Sequence, residues 1–394
     1  MQFSPMETLM VALLVLGAGQ WIVHKVELLS RLNMPEPVVG GLLATIIVTV
    51  MQVSGISLTF DESIKTPAML FFFGAVGLAA DFRLLRRGGW AMLLFAVLVI
   101  VLVALQDLAG VMMAKLMGLD AWYGLIGGSV TMTGGHGTGA AWAGVFERDF
   151  GLTGVSELAA ASATFGLVFG ALLGGPLAMF LIRRYRLAAP AHGAAVEDVE
   201  HDEAETPRPI SAASVIRILM LLSVGVVVGT VAADTFAPVF RLPTFVWVLF
   251  VCIVLGNTAR RLWQVNDATI DVVGNTALGI FLAITLMSLQ LLQLVDLALP
   301  MLAMLVVQVG LALAFITLVT FRLMGRNYDS AVLCAGHCGF AMGATPTAVA
   351  NIQAVTQHHG PSPLAFIIVP VVGGFIVDIA NATIIQTFVS VLSG

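Results

Sequence analysis

Charged residues are scarce in this sequence, since Asp, Glu, Lys and Arg together make up only 10% of its 394 residues. Soluble globular proteins carry about 25% charged residues. Hydrophobic residues make up 59% of the chain, so too little polar material remains to cover a soluble core. The composition excludes a soluble domain and predicts an all-α protein that crosses a lipid bilayer several times.

Cysteine is also rare. The three cysteines, Cys252, Cys334 and Cys338, lie in apolar surroundings, which indicates small buried side chains rather than disulfides. Cys334, His337 and Cys338 fall within one helical turn, a spacing that could suggest zinc, but the sequence offers no second ligand pair nearby. We therefore expect no metal cofactor at this cluster.

Several motifs that would point to other functions are missing. No Gly-Lys-Ser/Thr follows either of the two glycine-rich stretches described below, which argues against a nucleotide-binding loop. The apolar runs contain no HExxH, GxSxG or paired catalytic aspartates, so an intramembrane enzyme is not expected. We also expect no organic cofactor and no nucleic-acid partner.

Ten long apolar runs predict ten transmembrane helices, because a helix needs about 20 mostly apolar residues to cross the hydrocarbon core. The first run has no basic segment before it and no small-residue cleavage site, so we interpret it as a membrane helix rather than a cleaved signal. The runs lie near residues 8–24, 38–58, 66–82, 90–114, 158–182, 213–233, 243–259, 270–293, 299–321 and 363–389.

Two further apolar stretches, 121–146 and 330–352, are rich in Gly, Thr, Ser and Ala, and each carries a histidine. They occupy matching places in two halves of the chain, 1–186 and 213–394, which an acidic, Pro- and Ala-rich linker at 187–212 separates. KLMG followed by GGSVTMTGGHGTGAAWA in the first half matches RLMG followed by AGHCGFAMGATPTAVAN in the second. We therefore interpret the halves as repeats.

The two halves are predicted to have opposite orientations. Each half holds five predicted spans, and an odd number turns the second half upside down; such inverted repeats are typical of secondary transporters. With the N-terminus outside, fourteen of the 18 Lys and Arg residues fall inside, and four, Lys65, Lys115, Arg148 and Arg241, fall outside. The positive-inside rule thus predicts an N-out/C-out topology with the linker inside.

The glycine-rich stretches predict re-entrant hairpins. Non-helical backbone is tolerated at membrane depth only where protein buries it or water reaches it, and glycine permits tight turns there. The stretch 121–146 would enter from outside and 330–352 from inside, so their tips would meet near the membrane centre, the expected place for substrate and ion. Small residues also let membrane helices pack closely, but the repetition of the pattern favours hairpins over this alternative.

Three polar side chains stand out near these features. Asp378 and Asn381 lie one helical turn apart in the last span, and an ionisable residue inside a membrane span is a functional hypothesis by default. Asp378 would bind an ion or an ammonium group, or else serve in a structural pair. His136 would either orient its loop by hydrogen bonding or contact substrate.

Several motifs closely resemble the sodium/glutamate symporter family: GGHGTGAAW with ATFGL downstream, then LPTFV, GRNYDSAVL, AGHCGF, GATPTAVANIQAVT and IVDIANA. The likeness runs from about residue 33 to 390. It implies a carrier of the bacterial inner membrane that couples L-glutamate uptake to Na+. It also implies a homodimer in which a transport domain moves against a scaffold, that is, elevator-type alternating access. A sodium-coupled symporter for citrate or another di- or tricarboxylate, with the same architecture, is the alternative.

On this resemblance, the hairpins and their flanking spans form the transport domain, and spans 38–58 and 243–259 are scaffold candidates. Every arginine falls at a predicted membrane edge or in a loop, so backbone amides and hydroxyls are expected to bind the glutamate carboxylates. The expected substrate-binding residues are Gly134, Gly135, His136, Gly137, Thr138, Gly343, Thr345, Pro346, Thr347 and Asp378. The expected Na+ ligands are Asp378, Asn381, Thr133, Thr345 and Asn351.

Overall fold

A computed structural model describes residues 2–32, 34–81, 89–188, 209–237, 242–262, 265–289 and 297–393, and these residues form an all-helical protein. The predicted linker at 187–212 lies mostly outside them. The helices, in chain order, are α1 Pro5–Lys25, α2 Glu27–Arg31, α3 Glu36–Val53, α4 Lys65–Ala79, α5 Gly89–Leu116, α6 Ala121–Leu125, α7 Gly135–Phe150, α8 Val155–Tyr185, α9 Ala212–Phe236, α10 Thr244–Leu262, α11 Asp267–Met287, α12 Ala298–Leu323, α13 Tyr328–Met342, α14 Thr345–His359 and α15 Pro363–Ser393. π-helical turns extend α6 (Ile126–Val130) and interrupt α12 (Ile316–Thr320) and α15 (Val372–Ile376).

Eight helices of the described chain are long and apolar enough to cross a membrane, which makes this a multi-pass membrane protein. They correspond to eight of the ten predicted runs. The other two runs, 66–82 and 243–259, form the shorter apolar helices α4 and α10. Large apolar side chains on the outer helices are exposed, for example Leu14, Val50 and Val227, as expected for a surface that contacts lipid.

Some helices end before the apolar runs that predicted them. The run 38–58 is helical only to Val53, because Gly55 adopts a left-handed φ of +87°. The run 66–82 is helical to Ala79, after which the backbone is extended. The run 270–293 is helical to Met287, and its end from residue 290 lies outside the described residues. A hydrophobic run indicates which residues lie in apolar surroundings. It does not mark where the helix ends, because those surroundings continue beyond the last helical turn.

Local sequence explains several helix starts. Helices α3 and α10 begin directly after Pro35 and Pro243, since proline suits the start of a helix, where its missing N–H breaks no helical hydrogen bond. At the start of α13, the Asn327 side chain accepts a hydrogen bond from the Ser330 amide at 2.9 Å. The Ser330 hydroxyl lies 3.4 Å from the Asn327 amide, which completes a capping box.

The helices pack in two groups, and each group takes helices from both halves of the chain. The first packing group contains α1, α3, α4, α9, α10 and α11, and the second contains α5 to α8 and α12 to α15. Within the first group, α3 contacts α1 and α11, while α10 contacts α9 and α4. Contacts between the groups are sparser and are made mainly by α11 with α7 and α8, and by α4 with α15.

Candidate functional site

The first predicted hairpin is a broken helix followed by a tight turn and a second helix. Inside the π-helical turn that extends α6, Gly128 has non-helical backbone angles, with φ −89° and ψ −139°. The chain turns at Thr133 and Gly134, and α7 begins at Gly135 with a left-handed φ of +65°. That conformation costs a residue with a side chain about 1–2 kcal/mol, which explains the glycine. The hairpin continues to Phe150, beyond the predicted end at residue 146.

The second predicted hairpin consists of α13 and α14, joined by Gly343 and Ala344. Gly343 has irregular backbone angles, with φ −146° and ψ −103°. Pro346 lies in the first turn of α14, where its missing N–H leaves no helical hydrogen bond unmade. Both helices extend past the predicted stretch 330–352.

The tips of the two hairpins lie against each other. A Cβ atom added to Gly135 would lie 3.3 Å from the carbonyl oxygen of Gly343. The Thr133 hydroxyl lies 3.3 Å from the carbonyl oxygen of Ala341. The structure therefore brings together the two tips that the repeat in the sequence singled out.

Gln106, in the C-terminal half of α5, hydrogen-bonds to both tips. Its Oε1 accepts a hydrogen bond from the Thr133 hydroxyl at 2.6 Å, and its Nε2 donates to the Ala341 carbonyl at 2.9 Å. Its own carbonyl accepts from Nε2 of Gln308 on α12 at 2.7 Å. Both glutamines are fully buried, so α5 and α12 fix the relative position of the tips through shielded hydrogen bonds.

Asp107, the next residue of α5, contacts the break in the first hairpin. Its Oδ1 accepts a hydrogen bond from the Ser129 amide at 2.8 Å, and the residue is fully buried. Gln106 and Asp107 are not among the predicted site residues, because they lie in the apolar run 90–114, which by itself predicts only a membrane span. The available signal was a pair of adjacent polar residues in the middle of that run.

Helix α15 contacts both hairpins. The Thr345 hydroxyl donates to the carbonyl of Gly373, in the π-helical turn of α15, at 2.7 Å. Farther along, Asn381 Oδ1 accepts from the Ser129 hydroxyl at 2.6 Å, and Asn381 Nδ2 lies 3.3 Å from the Ser129 carbonyl. Asp378 lies between these contacts along the helix. It is partly buried and makes no hydrogen bond or ion pair with another described residue.

Two predicted site residues have their partners on α8. His136 Nε2 lies 3.0 Å from the hydroxyl of Thr164, which itself donates to the Ala160 carbonyl at 2.8 Å. Because the hydroxyl proton is used there, the histidine nitrogen is the donor. Asn351 Nδ2 donates to the Gly170 carbonyl at 2.9 Å. These hydrogen bonds attach each hairpin to α8, which favours an orienting role for His136.

The remaining predicted residues surround the tips. Gly137 packs against α4, where an added Cβ would lie 2.8 Å from the Phe72 ring. Thr138 and Thr347 are buried, and the Thr347 hydroxyl has no hydrogen-bond partner among the described residues. Pro346 is exposed. The tips thus combine buried hydroxyls with an accessible edge.

Arg260 has a buried side chain, but its partners lie in the first packing group. Its Nη2 donates to Asp267 and to the Leu78 carbonyl, the latter at 3.3 Å, and its Nε lies 4.0 Å from Asp81. This guanidinium is therefore neutralised by carboxylates at the ends of α4 and α11, away from the hairpin tips.

Replacing Gly135 with Ala is expected to destabilise the protein by about 1–2 kcal/mol, because an L-residue is strained at a φ of +65°. The added Cβ would also press on the Gly343 carbonyl oxygen. Gly144→Ala on the same helix is the matched control, since a Cβ there meets no heavy atom within 4 Å. Thermal unfolding of the purified protein measures both variants, and equal melting temperatures would contradict the strain.

Comparison with known proteins places this chain in one family. The sequence profile of the sodium/glutamate symporter family matches residues 1–361. The chain is 43% identical over 397 residues to a sodium/glutamate symporter of Haemophilus influenzae, a match that covers 99% of this chain and 98% of that protein. It is also 43% identical over 385 residues to a sodium/glutamate symporter of Escherichia coli strain K12, which covers 97% of this chain and 96% of that protein. The chain therefore belongs to the sodium/glutamate symporter family.

Proposed function

We propose that this protein is a secondary active transporter that takes up L-glutamate together with Na+ across the bacterial inner membrane. Family membership supports the reaction, since its relatives are named as symporters, which are transporters and not enzymes. The location of the site rests on one observation, the contact between the two hairpin tips. Gln106 bridges the tips through hydrogen bonds with the Thr133 hydroxyl and the Ala341 carbonyl.

Helix starts at the tips are assigned to the carboxylates of glutamate. Helix α7 begins at Gly135 and α14 at Thr345. The first turn of a helix exposes amide N–H groups and carries partial positive charge, so it favours anions. The hydroxyls of Thr138 and Thr347 lie in these first turns and add donors. Two carboxylates can thus be bound by two helix starts without an arginine.

Asp378 is assigned to the ammonium group of glutamate or to Na+. An unpaired carboxylate inside a membrane is expensive, and Asp378 is partly buried without an ion pair to another described residue. An ammonium group or Na+ would supply the compensating positive charge. Asn381, Thr133 and Thr345 add neutral oxygens close to the same tips, while Asn351 lies farther along α14.

Both hairpins are proposed to enter the membrane and return to the same side. The arms α7, α13 and α14 contain 15 or 16 residues, which is about 22–24 Å at 1.5 Å per residue. The hydrocarbon core is about 30 Å thick, so an arm of this length can end inside it, at the irregular backbone of its tip. The equivalent packing of α3 and α10, each against two helices of the first packing group, supports the inverted repeat.

A cavity of about 1020 Å³ supports the placement of four helix ends on one side of the membrane. Its lining includes Arg148 of α7, Ala237 after α9, Pro243 before α10 and Ser393 of α15. The predicted topology places all four of these helix ends on the outside. We assign the cavity to the outer vestibule of the carrier.

The two packing groups support elevator-type alternating access. The group that holds the hairpins has sparse contacts with the other group, so it can slide as one body against that group and carry the site with it. The second packing group is therefore the proposed transport domain, and the first, which contains α3 and α10, is the proposed scaffold. The homodimer stays a prediction from the family resemblance.

Uptake of labelled L-glutamate into liposomes that contain the purified protein tests the function. Two or more Na+ ions per glutamate make the cycle electrogenic, and an inside-negative potential of 100 mV then adds about 2.3 kcal/mol per net charge. We expect saturable uptake with an inward Na+ gradient, and none with K+ or a proton gradient alone.

Competition separates the alternatives. Excess unlabelled glutamate should block uptake, and citrate should not. Inhibition by citrate would indicate a di- or tricarboxylate carrier, and flux that does not saturate would indicate a channel. Uptake without Na+ dependence from a folded sample would contradict the symporter itself.

A further inference from the structure

Only one of the two carboxylate oxygens of Asp107 has a hydrogen-bond partner among the described residues. Its Oδ1 accepts a hydrogen bond from the Ser129 amide at 2.8 Å, while its Oδ2 is buried and has no hydrogen-bond partner among the described residues. The residue lies in the C-terminal half of α5, and its exposed fraction is 0%. As an ionised group, Oδ2 is an acceptor without a donor; as a protonated group, it is a donor without an acceptor. Either state leaves a costly buried polar atom.

The surroundings of this carboxylate are oxygen atoms brought together by the break in the first hairpin. Because Gly128 leaves the helical conformation, the Ser129 amide points to Asp107 instead of to a helical carbonyl. The Ser129 hydroxyl is hydrogen-bonded to Asn381 Oδ1 at 2.6 Å. Ser129 and Asn381 are 0% and 1% exposed. One carboxylate, one hydroxyl and one amide oxygen therefore lie close together and are buried from solvent.

Gly128 keeps this place open. A Cβ added there would lie 2.8 Å from Asp107 Oδ1 and 3.1 Å from the Gln106 carbonyl oxygen. Any larger residue would fill the space beside the carboxylate. Carbonyl oxygens of unwound membrane helices are the groups that bind Na+ in carriers, and hard cations prefer such oxygen ligands.

We propose that Asp107, Ser129 and Asn381 form a Na+ site at the break of the first hairpin, with Asp107 as the charged ligand. The proposal rests on the proposed function in that it names a site for the coupling ion. A bound Na+ would pair with Oδ2 and neutralise the only charge in this set of three residues. It would also join three elements, namely α5, the first hairpin and α15.

A Na+ ion bound by Asp107, Ser129 and Asn381 would also fix the position of the tip that is proposed to bind glutamate. The Ser129 carbonyl accepts hydrogen bonds from the amides of Thr133 and Gly134, at 3.2 and 2.9 Å. Thr133 and Gly134 form the turn directly before Gly135, the first residue of α7. An ion bound at Ser129 therefore holds the tip in place, and Na+ binding is expected to precede and strengthen glutamate binding.

The test compares Asp107→Asn with Asp271→Asn. Asp271 is an exposed carboxylate on α11 within a predicted span, so it controls for the carboxyl-to-amide change. The melting temperature of the purified protein is measured in NaCl and in choline chloride, without glutamate. Wild type and Asp271→Asn should be stabilised by Na+, and Asp107→Asn should not. In uptake assays, Asp107→Asn should raise the Na+ concentration for half-maximal rate about tenfold or more, where tenfold is ~1.4 kcal/mol of binding free energy.

The outcomes separate this site from the proposed function. Na+-driven uptake in wild type, with an unchanged Na+ response of Asp107→Asn in both assays, would overturn the site and leave the function standing. Stabilisation by Na+ that Asp107→Asn removes, without any Na+-driven uptake in wild type, would support the site and contradict the function. A loss of pH dependence alone, with the wild-type Na+ response kept, would make Asp107 a proton site and the proposal wrong.

Ser129→Ala provides the second variant, which carries the test if Asp107→Asn does not fold. It removes the hydroxyl ligand and keeps the amide that contacts Asp107. We expect a weaker Na+ response in both assays, smaller in effect than the loss of the carboxylate. A wild-type response of Ser129→Ala in the melting assay would count against the assigned ligand set.

Discussion

Asp378→Asn is expected to reduce Na+-driven glutamate uptake by roughly ten- to a hundredfold, because a hydrogen bond to a charged group contributes about 1.5–3 kcal/mol. Asn has the same shape, but it cannot balance the charge of an ammonium group or Na+. The variant should still fold, since Asp378 is partly buried and makes no hydrogen bond or ion pair with another described residue. Initial rates in liposomes at fixed Na+ and glutamate concentrations measure the effect.

Two further measurements decide what Asp378 binds. If it binds the ammonium group, the Michaelis constant for glutamate should rise while Na+ still stabilises the protein against heat. If it binds Na+, that stabilisation should decrease together with uptake, and the part that the Asp107 site contributes should remain. The exposed carboxylate Asp271, changed to Asn, is the control and should keep the wild-type rate. Wild-type uptake by Asp378→Asn would remove Asp378 from the site.

Gly166→Ala is expected to destabilise the protein by about 1–3 kcal/mol, the usual cost of overpacking a close contact, and to stop transport. Helix α8 carries Gly166, Gly170 and Gly174 on one face, and the second hairpin packs on this face. A Cβ at Gly166 would lie 2.3 Å from the carbonyl oxygen of Met342. That oxygen is backbone and belongs to the last residue of α13, so the tip of the hairpin has to move.

Gly175→Ala is the matched control on the same helix, because a Cβ there meets no heavy atom within 4 Å. Melting temperature reports the loss of stability, and uptake reports the displacement of the tip. The control should behave as wild type in both measurements. Should Gly166→Ala do the same, the close contact between α8 and the second hairpin would not be needed for folding or transport.

The hairpin tips were predictable because their chemistry is local. Non-helical backbone inside an apolar chain needs glycine, and Gly135 indeed adopts a left-handed φ of +65°. The helix starts behind Pro35 and Pro243 are local in the same sense. Helix ends were predicted less well, since the apolar run 38–58 continues beyond Val53, where the helix stops. Apolar residues continue from the helix into the loop at such places, so hydrophobicity does not locate the end of the helix.

Other features could be found only once the chain was folded. Gln106 and Asp107 lie in an apolar run, and their meaning depends on partners that are distant in sequence, such as the Ala341 carbonyl and the Ser129 amide. The partition of helices into two packing groups also crosses the linker at 187–212, because each group draws on both halves of the chain. No local pattern specifies these pairings.

Composition, turn chemistry and sequence motifs were enough for the membrane class, the two turns between short helices and the family, because each depends on residues close together in the chain. The polar junction at the tips was decided by tertiary packing. Ser129 and Asn381 are 252 positions apart, and they meet only because α15 packs beside the break in the first hairpin. A buried carboxylate such as Asp107 acquires its partners in the same way, from helices that come together in the folded membrane protein.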